Sequence, residues 1–213
     1  MASGKTDHAL ERLVFFSDAV FAIAITLLVI EIHVPHLEPG AADLAFVGAL
    51  AELIPSFVGY AVSFGVIAAF WAGHHRAFCL AGRYHPRVLV WNFLLLGTIA
   101  FMPFVTAFMS AHPGARVPAL VYWAWLLLTA LFNLRVNSLA TGPLMLEPGA
   151  EAQAAADVPR RSQSVALGAA SALVLAFFVP VAAPAAMATI PVWRWLLGRP
   201  GRARPAEPAP TAQ

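Results

Sequence analysis

The sequence predicts an all-α, polytopic membrane protein with six transmembrane helices per subunit and both termini in the cytosol. Of its 213 residues, 60% are hydrophobic and only 11% are charged, a composition outside that of soluble domains. Long apolar runs recur along the chain, and helices are the elements that satisfy their backbone polar groups within lipid. The basic residues, in addition, segregate to one membrane side.

The first transmembrane span is predicted from Leu13 to Ile32, after a polar cytosolic segment at residues 1–11. Its length is about one bilayer thickness at helical rise. Ser17 and Asp18 lie just inside the cytosolic end, where an unpaired carboxylate costs at least about 2–3 kcal/mol. Asp18 therefore requires a partner within the helix bundle or a hydrated surface.

One side of this helix contains a stripe with the helical spacing i, i+3, i+4, i+7. Its members are Ile23, Thr26, Leu27 and Ile30. Asp18 projects about 140° from Ile23, and Ser17 about 120° to the other side. Such a stripe is typical of a packing face between membrane helices and also of a hydrophobic pore constriction. Periodicity alone does not distinguish the two interpretations.

The other five spans are predicted from apolar runs at about 45–77, 88–109, 117–134, 164–179 and 181–197. Pro103 is expected to bend the third span and Pro191 to kink the sixth. Residues 140–160, rich in Gly, Pro, Ala and acids, are predicted to form a loop. Residues 1–198 thus form the predicted transmembrane domain, and residues 199–213 a disordered cytosolic tail rich in Pro, Ala and Arg.

The positive charges determine the predicted orientation. In this topology, twelve of the 13 basic residues lie on the cytosolic side, and Arg116 lies on the outer side. This bias follows the positive-inside rule, and it is independent of the hydropathy that places the helices. No basic face alternates with aromatic side chains, so a nucleic-acid partner is not predicted. The single cysteine, Cys79, excludes an intramolecular disulfide.

Polar side chains near the cytosolic end of the first span are predicted to form a structural hydrogen-bond network. Its members are Arg12, Ser17, Asp18, His74, His75 and Asn92. The network would neutralise the carboxylate and hold the first helix against its neighbours. Which histidine pairs with Asp18 is left open. A metal site is not predicted, because adjacent histidines on a helix point about 100° apart and the i, i+4 spacing is missing.

The sequence predicts neither an enzyme nor a cofactor site, because it has no Ser/His/Asp arrangement, phosphate loop or nucleophile elbow. Residues 58–60 read Val-Gly-Tyr, like part of a potassium selectivity filter, but they lie inside a continuous helical span without a pore loop. A carbonyl filter is therefore not predicted.

Four motifs follow one another along residues 12–110. They are Arg12-x-x-x-Phe16-Ser17-Asp18 with the apolar run to Ile32, Trp71-x-x-His74-His75-Arg76-x-Phe78, Trp91-Asn92-x-Leu94-Leu95 and Pro103-Phe104. In type and order they resemble the lysosomal potassium channel family (the transmembrane protein 175 family), in particular its single-repeat bacterial branch. Ala19 departs from the glycine that is common after the aspartate.

The resemblance implies a potassium-permeable cation channel in a bacterial plasma membrane, built as a homotetramer. In that family pattern the first helices line the pore, Ile23 forms the narrow ring with Leu27 and Ile30 above it, and Thr26 adds a polar ring. Potassium, together with other monovalent cations, would be the permeant species, with no bound cofactor. The alternative class is a proton- or ion-coupled transporter that uses Asp18 with His74 or His75 as a relay.

Overall fold

Helices satisfy the backbone polar groups along most of the chain that the structure describes. The computed structural model describes residues 3–198, with side chains from residue 8 onwards. The helices are α1 (Ser3–Ile30), α2 (Asp43–Glu52), α3 (Ile54–Cys79), α4 (Pro86–Ala100), α5 (Met102–Ser110), α6 (Arg116–Ala140), α7 (Ala152–Phe178) and α8 (Ile190–Gly198), with a 3-10 segment (Pro180–Thr189) before α8. The expected disordered tail at 199–213 lies outside the described residues.

Five segments are long and apolar enough to cross a membrane: 8–30, 54–79, 86–110, 116–140 and 152–178. Between residues 3 and 198, β-structure is limited to one isolated bridge that pairs Ala81 with Leu146. The prediction of an all-helical protein with several membrane spans is therefore confirmed.

Helix α1 begins at Ser3, ten residues before the predicted start at Leu13. The expected polar cap is thus largely a helical extension of the span, consistent with good helix formers such as Leu10, Glu11 and Arg12. One side of α1 is buried against the other helices through Leu13, Ser17, Phe21, Ala24 and Leu28. These positions repeat every three or four residues and define its intramolecular face.

Two predicted continuous spans are each divided into two helices ahead of a proline. The predicted second span breaks at Leu53, and Pro55 lies in the first turn of α3. The predicted third span breaks at Phe101, and Pro103 lies in the first turn of α5. Proline has no amide proton to donate, and the first turn is where a helix tolerates that loss. At Pro103 the interruption is a single residue, Phe101, inside one membrane-spanning segment at 86–110, at the place where the sequence predicts a bend.

The predicted loop at 140–160 is wrong over its second half, because α7 already begins at Ala152. This stretch is rich in alanine, the residue with the highest helix propensity, which outweighs the internal Pro159. Helix α7 packs mainly against α6. Its buried face contains small residues, including Ala166, Gly168, Ala169 and Ala172, and such residues allow close approach of membrane helices.

The predicted sixth span is not a continuous α-helix. It consists of the 3-10 segment, which contains Pro180 and Pro184, followed by the nine-residue α8. The chain turns back along α7 here, since an added Cβ at Gly168 would lie only 2.5 Å from Ile190 Cγ1. Gly168 therefore provides the space that seats the start of α8.

Candidate functional site

Helix α1 has one face that the rest of the chain covers and one that it leaves uncovered. Phe21 and Leu28 are each 1% exposed, whereas Ile23, Leu27 and Ile30 are 57%, 39% and 68% exposed. The predicted stripe therefore does not pack against the other helices of its own chain. Within the described residues it is an apolar surface that is free to face a pore, lipid or another subunit.

Thr26 is the polar member of this uncovered stripe. Its hydroxyl group donates to backbone carbonyl groups of its own helix: Oγ1 lies 2.9 Å from the carbonyl oxygen of Ile23 and 3.1 Å from that of Ala22. The lone pairs of Oγ1 remain available on an exposed residue. Thr26 can therefore accept a hydrogen bond from water, or contact a cation, without leaving an unpaired donor in the membrane.

The covered face of α1 is anchored by a chain of buried hydrogen bonds. Ser17 Oγ donates to the carbonyl oxygen of Leu13 at 2.8 Å and accepts a bond from Asn92 Nδ2 at 2.9 Å. Asn92 Oδ1 lies 3.0 Å from His74 Nε2. Because the amide oxygen can only accept, His74 carries its proton on Nε2 in this arrangement. The Ser17–Asn92–His74 chain thus ties α1 to α4 and α3, with all three side chains fully buried.

Aromatic packing holds the imidazole of His74 in place. Its ring stacks on Phe78 with a centroid distance of 4.3 Å and lies 5.6 Å from the ring of Phe21. Nδ1 of His74 is buried and has no hydrogen-bond partner among the described residues. The hydrogen bond to Asn92 is therefore the polar contact that positions this ring.

Asp18 lies outside this chain of bonds and has a different partner. Its Oδ1 accepts a hydrogen bond from Trp71 Nε1 at 2.8 Å, and the Trp71 ring stacks on His75 at 5.3 Å. Asp18 also borders an open groove of about 320 Å³ beside α1. The half-buried carboxylate thus has both a partner and access to the groove.

The structure joins Ser17, His74 and Asn92 of the predicted network by hydrogen bonds. Asp18 and His75 meet through Trp71 instead, and Arg12 has no ion pair among the described residues. The ion pairs found between residues 8 and 198 include none between Arg12 and Asp18 and none between Asp18 and a histidine. Sequence reasoning missed Trp71 as the partner of Asp18. The available signal was the position of Trp71 one helical turn before His74 and His75.

A second buried polar cluster, which sequence reasoning did not predict, joins α3, α5 and α6 nearer the opposite end of the bundle. Ser63 Oγ lies 3.0 Å from the Tyr122 hydroxyl and 2.8 Å from Thr106 Oγ1. Such single hydroxyl groups within apolar spans are typical contacts between membrane helices. No group of three or more His, Cys, Asp or Glu side chains among the described residues is placed to hold a metal ion.

Comparison with known proteins gives a consistent result over the part of the chain that contains this site. A family model described as the endosomal/lysosomal potassium channel TMEM175 matches residues 12–103. A potassium channel of Chamaesiphon minutus is 40% identical over 144 residues, which cover 66% of this chain and 70% of that protein. A potassium channel of Streptomyces collinus is 38% identical over 116 residues, which cover 52% of this chain and 54% of the relative.

A more distant relative is the human endosomal/lysosomal proton channel TMEM175, which is 22% identical over 187 residues. These residues cover 84% of this chain and 36% of the human protein. Among solved structures, the crystal structure of a lysosomal potassium-selective channel TMEM175 homologue from Chamaesiphon minutus matches with a TM-score of 0.74 and 30% identity. That match covers 90% of this chain and 99% of the crystallised one. A crystallised variant of the potassium channel MtTMEM175 shares the fold alone, with a TM-score of 0.53 and 16% identity over 88% of each chain.

Proposed function

Since this chain belongs to the TMEM175 family of potassium channels, we propose that it forms a potassium-permeable cation channel whose pore is lined by α1. The observation that carries the proposal is the uncovered stripe of Ile23, Thr26, Leu27 and Ile30. A helix that lines a pore must present residues that its own subunit leaves free, and this stripe does so while the opposite face of α1 is anchored in the bundle.

The proposed assembly is a homotetramer. One lining helix per chain cannot enclose a pore, whereas four copies around an axis can, and closed cyclic symmetry is the usual arrangement of identical subunits. In this assembly Ile23 forms the narrow ring, Leu27 and Ile30 lie above it, and Thr26 contributes a polar ring. The stripe from Ile23 to Ile30 spans about 10 Å of helix, so the constriction is short.

The proposed orientation has six membrane crossings with both termini in the cytosol. Ten 3-10 residues and nine α-helical residues rise about 33 Å together, close to the hydrocarbon thickness of about 30 Å. Residues 180–198 are therefore long enough to make the sixth crossing. The cation–π contact of Arg116 with Phe177, at 5.7 Å, supports placing the start of α6 and the end of α7 at one membrane face. In this orientation the other arginines between residues 8 and 198 are assigned to the cytosolic face. A bacterial plasma membrane location is proposed from the similarity to bacterial potassium channels.

Selection in this pore does not use backbone carbonyl groups. Residues 58–60 lie within the continuous helix α3, where carbonyl oxygens are engaged in helical hydrogen bonds. A ring of isoleucines cannot coordinate a dehydrated cation, so it gates by excluding water and discriminates through pore diameter and the cost of partial dehydration. Potassium and other monovalent cations would cross with much of their hydration, and the free lone pairs of Thr26 would replace some water contacts.

The alternative of a coupled transporter requires a relay between Asp18 and His74 or His75. In the described structure Asp18 is bonded to Trp71, and His74 is bonded to Asn92. Neither histidine is hydrogen-bonded to the carboxylate. The geometry therefore favours structural roles for these side chains, and the channel remains the proposal.

Recording from the purified protein in a planar bilayer tests the proposal. A channel gives unitary currents that no carrier can match, with a reversal potential set by the gradients of the permeant ions. Ile23→Ala should raise the conductance and weaken discrimination between potassium and sodium. Ile25→Ala is the matched control, because Ile25 projects about 160° from Ile23 and is partly buried against the core.

Two results would contradict the proposal. If Ile25→Ala changes conduction and Ile23→Ala does not, the lining face is misassigned. If neither variant alters the currents, or if the wild-type protein gives none, α1 is a packing helix only.

A further inference from the structure

A small crevice between α3, α6 and α7, away from the stripe, gathers positive charge. Its polar lining consists of Arg76, Asn133, Arg161 and Ser162, and we call it the arginine crevice. Its volume is about 50 Å³. A water-sized group requires about 10–15 Å³ on this scale, so the crevice has room for roughly four such groups.

The charges of the arginine crevice are not balanced within the described chain. Arg161 Nε donates to Asp157 Oδ2, an ion pair one helical turn away on α7. Arg76 makes no ion pair with any residue between 8 and 198. Two guanidinium groups thus face one carboxylate, and the crevice has a net positive charge suited to an anion.

The floor of the crevice contains a weakly paired hydrogen-bond donor, Asn133 Nδ2. Asn133 Nδ2 reaches only the carbonyl oxygen of Phe70, at 3.5 Å, the outer limit of a hydrogen bond. Asn137 Nδ2 donates to Asn133 Oδ1 and to Ser162 Oγ, both at 2.9 Å. Asn137 Oδ1 is buried beside the floor and has no hydrogen-bond partner among the described residues. The donors that face an anion here are therefore Asn133 Nδ2 and the two guanidinium groups. An oxygen-rich anion would accept from Asn133 and from both arginines.

The position of the crevice along the bundle identifies the source of such an anion. Arg76 lies in the last turn of α3, at the end that the proposed orientation places in the cytosol. Phe70 and Val165 form an apolar wall next to the charged groups. A charged rim beside an apolar wall matches the phosphate and the glycerol–acyl part of a membrane phospholipid.

We propose that the arginine crevice binds the phosphate group of an anionic phospholipid from the cytosolic leaflet. The four oxygens of a phosphate match the room available, and the two arginines match its charge. The lipid would bridge α3 and α7. The inference rests on the proposed membrane orientation but not on ion conduction, so binding can be measured whether or not the protein passes current.

Lipid binding to the full-length protein in detergent provides the test. Dioleoylphosphatidylglycerol is titrated against dioleoylphosphatidylcholine, with retained lipid counted by native mass spectrometry and stabilisation followed by thermal unfolding. The wild-type protein should retain and be stabilised by phosphatidylglycerol in preference to phosphatidylcholine. Arg76→Gln should weaken phosphatidylglycerol binding about fivefold, the effect of one basic contact at a membrane surface. Arg83→Gln, an exposed arginine of the α3–α4 turn that does not line the crevice, should change it less than about twofold.

Asp157→Asn provides a second variant, which should change lipid binding in the opposite direction. It removes the carboxylate and keeps both arginines of the crevice. Freeing Arg161 from its carboxylate should tighten phosphatidylglycerol binding. Equal binding of the two lipids, an equal effect of Arg76→Gln and Arg83→Gln, or weaker binding by Asp157→Asn would overturn the proposal. A parallel titration uses inorganic phosphate. If phosphate stabilises the protein as much as phosphatidylglycerol does and displaces that lipid, the crevice is a site for free phosphate instead.

Discussion

Asn92→Ala removes the central member of the hydrogen-bond chain that anchors α1. The amide of Asn92 contacts both Ser17 and His74, at 2.9 Å and 3.0 Å. His74 is fully buried, and its Nδ1 has no hydrogen-bond partner among the described residues. Loss of Asn92 therefore leaves both ring nitrogens unpaired. An unsatisfied buried donor costs about 1–3 kcal/mol, and the lost bond to Ser17 adds about 0.5–1.5 kcal/mol.

Ser17→Ala should cost less, because it leaves one buried donor, Asn92 Nδ2, without its acceptor and keeps the hydrogen bond that positions the histidine. The hydroxyl proton of Ser17 is given to the carbonyl oxygen of Leu13, its own helix. Asn92 also keeps its bond to His74 in this variant. The expected loss is about 1–3 kcal/mol, the cost of the unpaired Asn92 donor. Asn92→Ala strands the His74 donor and loses the bond to Ser17 as well, so it should be the more destabilising change by about 0.5–1.5 kcal/mol.

Unfolding in mixed micelles, followed by tryptophan fluorescence, measures these differences. Thr98→Val is the control, since the Thr98 hydroxyl donates to the Leu95 carbonyl oxygen of its own helix. A paired replacement, Asn92→Leu with His74→Phe, should recover part of the stability lost by Asn92→Leu alone, because both polar partners become apolar. The reasoning is refuted if Ser17→Ala is as destabilising as Asn92→Ala, or if the paired replacement gives no recovery.

Two further predictions concern other contacts of the fold. Asp18→Ala should lower the yield of folded protein and cost about 1–2 kcal/mol, since it leaves Trp71 Nε1 without its acceptor. Asp18→Asn keeps an acceptor oxygen and should lose less stability than Asp18→Ala. If Asp18→Ala changes only ion selectivity and folds with normal stability, the carboxylate lies in the pore instead. Gly168→Ala should destabilise the protein by about 1–3 kcal/mol, because its Cβ would meet Ile190. Gly97→Ala is the control, because no heavy atom lies within 4 Å of its added Cβ. It should leave stability unchanged or raise it when unfolding in mixed micelles is followed by tryptophan fluorescence.

The family resemblance drawn from the motifs is confirmed, as is the prediction that the protein is not an enzyme. Motif positions could be read directly because they are local patterns of residue type and spacing. The roles of the individual pore and network residues remain predictions. Ile23 illustrates the difference: its exposure within the subunit is observed, but its position at a pore axis depends on an assembly of several chains.

Helix boundaries were predictable where local chemistry decides them and unpredictable where packing does. Apolar runs located the membrane spans, and Pro103 marked a real interruption. The start of α7 was missed because residues 152–160 have a loop-like composition with Pro159. Alanine propensity and the surface of α6 stabilise a helix there. The predicted sixth span falls on the 3-10 segment and α8, which are not among the five segments long and apolar enough to cross a membrane. The 3-10 form follows from Pro180 and Pro184, which interrupt the α-helical hydrogen bonds.

The sequence by itself determined that this chain crosses a membrane as helices, because each segment in lipid must satisfy its own backbone hydrogen bonds. It also determined which residues share the stripe of α1, since helical periodicity is local. Only the tertiary structure decided that Asp18 pairs with Trp71, and that Ser17 meets Asn92 across 75 residues of chain. Those partners depend on how the helices cross and pack, and several polar side chains near one end of a bundle compete for the same few positions.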